Sequence, residues 1–380
     1  MKILIIMPYF FEPRRWMISG YKTALYLSKK NKVIVLTTGR PYYEEMGPNL
    51  RIYRMWDFFM PDPVNFSIVP GLFWHLCRVI KKEKPDIFLV NKHMFYTSLA
   101  VIWLRLLGKK VFTQIDSFPG ITWFSRSIFV NMILWIYGRT IGLCLLKLSQ
   151  KVILLHEGLI PIARKYQLNY TVVHNGVDLG AIKKAKPASD LRSKSKGEQR
   201  VIYVGRLESV KGYRDYLRIA VKMVRKNPHL KFYLVGNTQG KEDLIKKYSS
   251  RRLIFLGHRN DVYSILKTMD VFVLSSYSEG LPNALMEAMA SGLACVASNV
   301  GGVKVLIKDK INGLLFEPGN CQAMESKITL LLLNDKLRKK LSYNAHKTIS
   351  KDYSWKKVAS QYLGLFEEKA PQRNYNEGLD

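Results

Sequence analysis

The sequence predicts an α/β protein of two domains, each built on a parallel sheet of βαβ units. Three observations support that expectation. Short β-branched or apolar runs alternate with helical patterns from end to end, which is the pattern of parallel strands wrapped by helices. At 380 residues the chain exceeds one ordinary domain and fits two, each large enough to bury its own core. The strand-like runs also fall into two sets, parted by a polar stretch with no apolar period.

The first set is Lys2–Met7, Lys32–Thr37, Arg51–Met55, Asp86–Val90, Lys110–Thr113, Lys151–Leu154 and Thr171–His174. The second is Arg200–Val204, Lys231–Val235, Leu253–Leu256, Val271–Leu274, Ala294–Ala297 and Gly313–Phe316. Between them runs KKAKPASDLRSKSKGEQR, charged and rich in Ser and Lys, the composition of a linker. The expected layout is therefore a first domain over 1–178, a linker over 179–199 and a second domain over 200–352. The segment YSWKKVASQYLGLFEE reads as an amphipathic helix capped by Ser354, giving a terminal helix within 353–370 and a disordered tail over 371–380.

Composition narrows the class. With 48% hydrophobic and 12% aromatic residues and no internal repeat, the chain folds as a globular protein. Cys77, Cys144, Cys295 and Cys321 lie far apart, without the close pairs of zinc or redox motifs, and read as free thiols in a reducing compartment. The opening MKILIIMPYF reads as a first strand and not a signal peptide, so the expected location is cytoplasmic. The net charge of +31 sits on no single tail, since residues 1–180 carry 24 basic and 10 acidic side chains and residues 181–380 carry 36 and 19. Such a field favours phosphorylated substrates or anionic lipid headgroups. Nucleic acid is not expected, for no helix-turn-helix, zinc or RNP-type signature is present. Solvated lysines without a partner are the plain alternative.

Ser127–Leu146 holds twenty residues whose only charge is Arg139, enough to suggest a membrane-spanning helix. Topology opposes that, because the flanking strands read as members of one parallel sheet and a single crossing would part them. The segment is expected to be a helical excursion, broken near Gly138 or Gly142. Two settings fit it: a buried helix pair, or a membrane surface, where Trp123, Phe124, Phe129 and Trp135 beside Arg126, Arg139, Lys147 and Lys151 would suit the interface.

The stretch with most chemistry is SSYSEGLPNALMEAMASG, Ser275–Gly292. It follows a strand and opens a helix at Pro282, leaving the backbone N–H groups of Gly280, Leu281 and Asn283 unpaired, an arrangement that attracts anions or sugar hydroxyls. Glu287 interrupts an otherwise apolar helix. A buried carboxylate is costly unless paired, and two vicinal hydroxyls would pair it; so would a neighbouring lysine or loop. Glu279, eight positions earlier, adds a second carboxylate at the same helix end. Upstream, VGRLESVKG follows a strand at Gly205, sets Arg206 just after it and brings Lys211 to the next helix, cations able to neutralise a diphosphate without a metal.

VHNGVD (Val173–Asp178), VGRLESVKG and the paired glutamates of EGLPNALME together resemble the retaining family-4 glycosyltransferases of the GT-B fold, over nearly the whole chain. The resemblance implies two Rossmann-like domains facing across a cleft, with the terminal helix crossing back to the first. It implies a nucleotide-diphosphate-sugar donor, with Arg206 and Lys211 on the diphosphate, Glu279 and the Gly280–Asn283 backbone on the sugar and Glu287 on the ribose. The base would lie near Gly257–Asp261, which contains Arg259, and Asn175, Gly205 and Gly20 would be among the substrate-binding residues. No metal or cofactor is expected.

Departures lie in the first domain. Where relatives carry a glycine pair in the first loop, RRWMISGYKTA has Gly20 alone; where they show a His-Asp pair, QIDSFPG keeps Asp116 behind Ile115. Asp116 and His93 are the candidates for orienting the acceptor, with a lone strand-end histidine being structural as the other reading. Basic surface, the aromatic excursion and cytoplasmic placement suggest a lipid-linked or membrane-associated glycan acceptor, with the enzyme peripheral on the inner face of the membrane. An epimerase or hydrolase acting on nucleotide sugars, and a non-catalytic membrane-bound protein, are the competing classes.

Overall fold

The computed structural model describes residues 1–9, 18–40, 42–60, 66–93, 96–124, 127–191, 193 and 195–367. In the N-terminal half the strands are β1 (Lys2–Ile6), β2 (Lys32–Thr38), β3 (Tyr43–Glu45), β4 (Leu50–Met55), β5 (Phe58–Met60), β6 (Phe66–Ile68), β7 (Ile87–Asn91), β8 (Val111–Ile115), β9 (Lys151–Leu154) and β10 (Tyr170–Val172). Helices α1 (Ile18–Ser28), α2 (Leu72–Glu83), α3 (Tyr96–Leu106), α4 (Ile128–Arg139), α5 (Ile141–Leu148) and α6 (Ile160–Lys165) interleave with them. Eight strands form one sheet in the order β10-β9-β8-β7-β1-β2-β4-β3, parallel except for edge strand β3, and β5 and β6 pair as a separate antiparallel ribbon. Ile3, Leu4, Ile5 and Ile6 of β1 are fully buried, as a continuous apolar run must be when helices cover both faces.

The C-terminal half repeats the scheme. After α7 (Leu179–Lys184) come β11 (Gln199–Val204), β12 (Leu230–Val235), β13 (Leu253–Gly257), β14 (Val271–Leu274), β15 (Ala294–Ser298) and β16 (Leu314–Phe316), all parallel, in the order β13-β12-β11-β14-β15-β16. Their helices are α8 (Tyr213–Lys226), α9 (Glu242–Tyr248), α10 (Val262–Leu266), α11 (Asn283–Ala290), α12 (Val303–Leu306), α13 (Cys321–Leu333), α14 (Asp335–Asp352) and α15 (Trp355–Phe366). Strand order reverses between β1 and β7 in one sheet and between β11 and β14 in the other. Ligands of such sheets bind outside the carboxyl ends of the strands at these reversals.

Two crossings join the halves, and they hydrogen-bond to each other. Val177 N donates to Tyr353 O at 2.6 Å and Trp355 N donates to Val177 O at 3.2 Å. Beyond Ser354, whose hydroxyl accepts from Lys357 N at 3.2 Å and caps it, α15 lies on the first domain: Trp355 stacks on Tyr26 with centroids 5.5 Å apart, and Phe366 meets Phe112 edge-on at 5.2 Å. A Cβ at Gly176 would sit 2.6 Å from the Trp355 ring, so only glycine lets the outgoing chain pass the returning one.

Several expectations are corrected. The expected linker of 179–199 opens with a helix that its lack of apolar period did not suggest: α7, capped by Asp178, whose carboxylate accepts from Ala181 N at 2.9 Å, with Ile182 buried. Three short antiparallel strands, β3, β5 and β6, were not anticipated. The Ser127–Leu146 excursion, by contrast, is as expected two helices with a break near Gly138 and Gly142, at Thr140; Thr140 turns out of the helix with φ −118° and ψ −102°, and its hydroxyl bonds back to Ile136 O at 2.7 Å. Arg126, residues 14–17 of the first loop and the tail 371–380 lie outside the described residues.

Trp355 is 3% exposed and belongs to the core that ties α15 to β1 and α1. Replacing it with Ala is expected to cost about 3–5 kcal/mol; chemical denaturation measures this, and a loss below about 1 kcal/mol would show that the crossing does not anchor the helix.

Candidate active site

The loops after β11 and β14 are joined at the reversal of the second sheet. After β11 the chain turns through Gly212, at φ 63°, where a Cβ would lie 1.8 Å from Ser275 O. No other residue fits so close to a backbone oxygen in that conformation. Ser275 Oγ donates to Gly212 O at 2.9 Å and Tyr277 N to Val210 O at 2.8 Å. This stitching puts Lys211 Nζ 2.8 Å from Glu279 Oε2, while Ser276 Oγ donates to the other carboxylate oxygen at 2.6 Å. The Glu279 side chain is 8% exposed and that of Lys211 19%, so the pair is largely shielded from water. Beneath it the loop after β15 contributes Gly301 and Gly302, whose added Cβ atoms would fall 1.8 Å from Glu279 O and 2.0 Å from Gly280 O.

Helix α11 begins at Asn283 with Pro282 as its N-cap and no side-chain cap, so its first N–H groups have no partner within the helix. Asn283 Oδ1 is buried without a hydrogen-bond partner among the described residues. Leu285, Met286, Ala288 and Met289 are buried, and Glu287 stands partly buried among them, accepting, among the described residues, only from Tyr263 Oη at 3.3 Å. Burial pushes its carboxyl up from the ordinary 4.5 to about 7, with Tyr263 and Lys22 tempering the rise.

The first domain faces this loop with Asp116, at the end of β8. A Cβ on Gly280 would lie 2.9 Å from both the Asp116 Cβ and its carbonyl oxygen, so the domains touch there. Asp116 is ion-paired with Lys92 and accepts from Ser117 Oγ at 3.1 Å. Burial pushes its carboxyl up, but Lys92 outweighs that and holds it below the usual carboxylate range. Lys92 follows β7 with φ 75°, a left-handed conformation rare for a side chain of its kind. His156, just beyond β9, sets Nε2 3.3 Å from Asp116 O and packs against Gly302, with Nδ1 buried and without a partner among the described residues. Burial lowers its basicity.

Of the residues singled out from sequence, Lys211, Glu279, Gly280 and Asp116 converge, with Leu281, Asn283 and Glu287 following on α11 and the turn before it. Gly205 continues the sheet, its N–H donating to Val235 O at 3.0 Å. Arg206 does not join them: its side chain is 63% exposed and pairs with Glu208. Arg259 is committed to two carboxylates, bidentate on Asp261 at 2.7 Å and reaching Asp190 of the linker at 2.8 Å. His93 is buried under the α4–α5 break, its ring 5.6 Å from that of Tyr137, and burial pushes its imidazole down to about 4. Asn175 is buried at the crossing with Oδ1 unpartnered among the described residues. Gly20 lies in α1 against Met7. Sequence reading passed over Lys92, His156, Tyr263, Ser276 and the Gly301–Gly302 pair. The glycine pair after a strand and the histidine at a strand end were visible signals; nothing local marked Lys92. Among the described residues, no group of three or more His, Cys, Asp and Glu side chains converges as a metal site would require.

Residues 188–348 match the family described as glycosyl transferases group 1. Over 328 residues the chain is 30% identical to the UDP-Gal:alpha-D-GlcNAc-diphosphoundecaprenol alpha-1,3-galactosyltransferase of Escherichia coli, covering 81% of this chain and 83% of the relative. It is 28% identical to the N-acetyl-alpha-D-glucosaminyl L-malate synthase of Bacillus anthracis, over 88% of this chain and 89% of that one. Among solved structures, sucrose-phosphate synthase from Thermosynechococcus elongatus superposes with a TM-score of 0.77 at 18% identity, covering 97% of this chain and 99% of that one.

The raised Glu287 carboxyl has a consequence for stability. The folded state holds this proton more tightly than the unfolded chain, so the contribution is fully present below pH 4.5 and is lost as pH rises through about 7. Glu287→Gln cannot ionise. Its melting temperature relative to the unsubstituted protein is expected to climb between pH 5 and pH 8, and a difference that stays constant across that range would contradict a carboxyl raised by burial.

Proposed function

The chain belongs to the glycosyl transferases group 1 and is a glycosyltransferase of the GT-B fold, and from that premise we propose that it moves a sugar from a nucleoside-diphosphate donor to a lipid-linked glycan acceptor with retention at the anomeric carbon. The observation that carries the reading is the shielded Lys211–Glu279 pair at the β11/β14 reversal, facing Asp116 across the cleft. The Lys211 ammonium and the partial positive charge at the uncapped start of α11 would face the departing diphosphate as it gains charge. Arg206 joins them by leaving Glu208, and an exposed ion pair holds it by no more than about 1 kcal/mol. The donor's ribose hydroxyls donate to Glu287, and Glu279 accepts from hydroxyls of the transferred sugar. The charge is met by these cations and the helix end, so the reading calls for no metal.

In the reaction the bond from C1 to the diphosphate oxygen breaks, the acceptor oxygen bonds to C1 on the same face, and the acceptor proton passes to the leaving oxygen. Two facts favour this same-face route over a covalent glycosyl-enzyme. Glu279 is held by Lys211 and Asp116 by Lys92, and an ion-paired carboxylate is a weakened nucleophile. The lipid-linked acceptor is supported by the Escherichia coli relative, whose name gives a diphosphoundecaprenol-linked sugar as acceptor, and by the basic surface, which suits an anionic membrane. The Bacillus anthracis relative, named for malate, supports a small soluble acceptor as the second reading.

A screen of nucleotide sugars, read by thermal shift and by nucleotide release, tests the donor assignment; a ligand at 100 times its dissociation constant stabilises by about 2.7 kcal/mol. Lys211→Ala and Arg206→Ala are each expected to lower turnover on the order of a hundredfold or more, and unchanged turnover in both would remove the diphosphate assignment. Because hydroxyl donors favour the ionised carboxylate, binding of the nucleotide near pH 6.5 is expected to release a proton from Glu287. Calorimetry in buffers of different ionisation enthalpy detects that proton, and Glu287→Gln should abolish it.

A further inference from the structure

We propose that the exposed face of α4 inserts in the plane of an anionic lipid bilayer and fixes the mouth of the cleft at the membrane surface. The inference rests on the lipid-linked acceptor for its purpose, though not for its physical basis. Ile128, Phe129, Met132, Ile133, Trp135 and Ile136 are each between 50% and 88% exposed, and their spacing puts them on one side of the helix. Only Leu134 and Gly138 of α4 are buried. A continuous apolar face of this kind marks an interaction site, since folded proteins rarely leave one open to water.

Crossing the membrane is not an option for this element. Ile128–Leu148 is long and apolar enough by composition, but it is broken at Thr140, and the strands on either side, β8 and β9, are neighbours in one parallel sheet. Alone, the twelve residues of α4 span about 18 Å, well short of the roughly 30 Å hydrocarbon layer. Lying in the interface is the geometry left to a helix with one apolar side.

Charge decides between an anionic bilayer and a second copy of the chain. From Ile87 to His156 the sequence holds eight lysines and arginines and one acid, Asp116, which is already paired with Lys92. Arg105, Arg139 and Lys147 are exposed on α3, α4 and α5, and the Arg139 guanidinium lies 4.7 Å from the centre of the Trp135 ring, a cation–aromatic pair suited to the headgroup level. A second copy of the chain would bring the same positive charge to this face and be repelled.

The apolar helix is also fixed rigidly to the cleft. A Cβ at Gly120 would lie 2.3 Å from Leu134 O, one at Gly138 2.0 Å from Pro119 O, and one at Gly142 3.1 Å from His93 Nε2. Arg139 donates to Gly120 O at 3.0 Å and Tyr137 Oη to Ser98 Oγ at 3.1 Å. Through these contacts α4 sits directly on the loop that begins with Asp116, so seating the helix in lipid seats the acceptor side of the cleft.

Flotation with vesicles of phosphatidylglycerol and phosphatidylcholine tests this. The intact chain should partition onto vesicles containing anionic lipid and more weakly onto phosphatidylcholine alone. Phe129→Asp with Ile133→Asp should lower the partition coefficient at least tenfold, while Arg105→Glu with Lys147→Glu should remove the preference for anionic lipid. Both doublets lie on exposed positions, so the melting temperature and the thermal shift given by nucleotide should match the unsubstituted protein. Absence of vesicle binding, equal binding by the Asp doublet, or a dimer in sedimentation that the Asp doublet dissociates would each overturn the proposal. Vesicle binding without transfer from any nucleotide sugar would leave the surface standing and sink the proposed reaction instead.

Discussion

Everything at the cleft depends on the hydrogen-bonded crossing of Val177 with Tyr353 and Trp355. Two domains joined by one strand of chain would be free to rotate, and the contact of Gly280 with Asp116 would be one arrangement among many. Two crossings bonded to each other remove most of that freedom. Tyr26 adds to it, its ring on Trp355 and its hydroxyl on Asp178, so α1 is tied to both passages of the chain. The loops after β8 and β14 therefore meet in a defined register.

Within the cleft the recurring device is the removal of Cβ atoms where backbones must approach. Gly212 lets the β11 loop reach the β14 loop, Gly301 and Gly302 let the β15 loop run under Glu279, and Gly280 lets the second domain touch the first. Each close approach brings a charge with it: Lys211 to Glu279, and Asp116 to the start of α11. In the two ion pairs, Lys211–Glu279 and Lys92–Asp116, each of these carboxylates is matched by a cation. A bound diphosphate would share Lys211 with Glu279, so one cation would hold the phosphate while still restraining the carboxylate.

The strands were legible because buried parallel strands are apolar on both faces, and Glu287 because a carboxylate on an apolar helix has few explanations. β3 was not, since Tyr43, Glu44 and Glu45 form an edge strand through backbone pairing that side chains do not announce. The linker helix had its signal in Asp178, a good cap before Leu-Gly-Ala-Ile-Lys-Lys, outweighed in the reading by the charged residues that follow. Arg259 shows the deeper limit. The resemblance put it near the base, while its ion pair with Asp190, 69 positions away in sequence, is a contact of a range that no local pattern reports. Lys92 was invisible for the same reason, its role set by Asp116 24 positions on.

The net charge of +31 acquires a physical sense from where the acids are. Glu83 is buried against Arg51, Glu198 against Arg200 and Lys231, Glu279 against Lys211, and Glu325 largely covered between Lys222 and Lys226. These four carboxylates are drawn inward to pair with cations, while most of the excess cations remain outside. From Ile87 to His156 that sorting is nearly complete, because the one acid faces the cleft. A surface made this way repels its own copies and concentrates anions, and the apolar side of α4 lies in the middle of it. The same sequence economy that pairs the carboxylates of the cleft leaves the face beside it both positive and greasy, which is what a headgroup layer over hydrocarbon accepts.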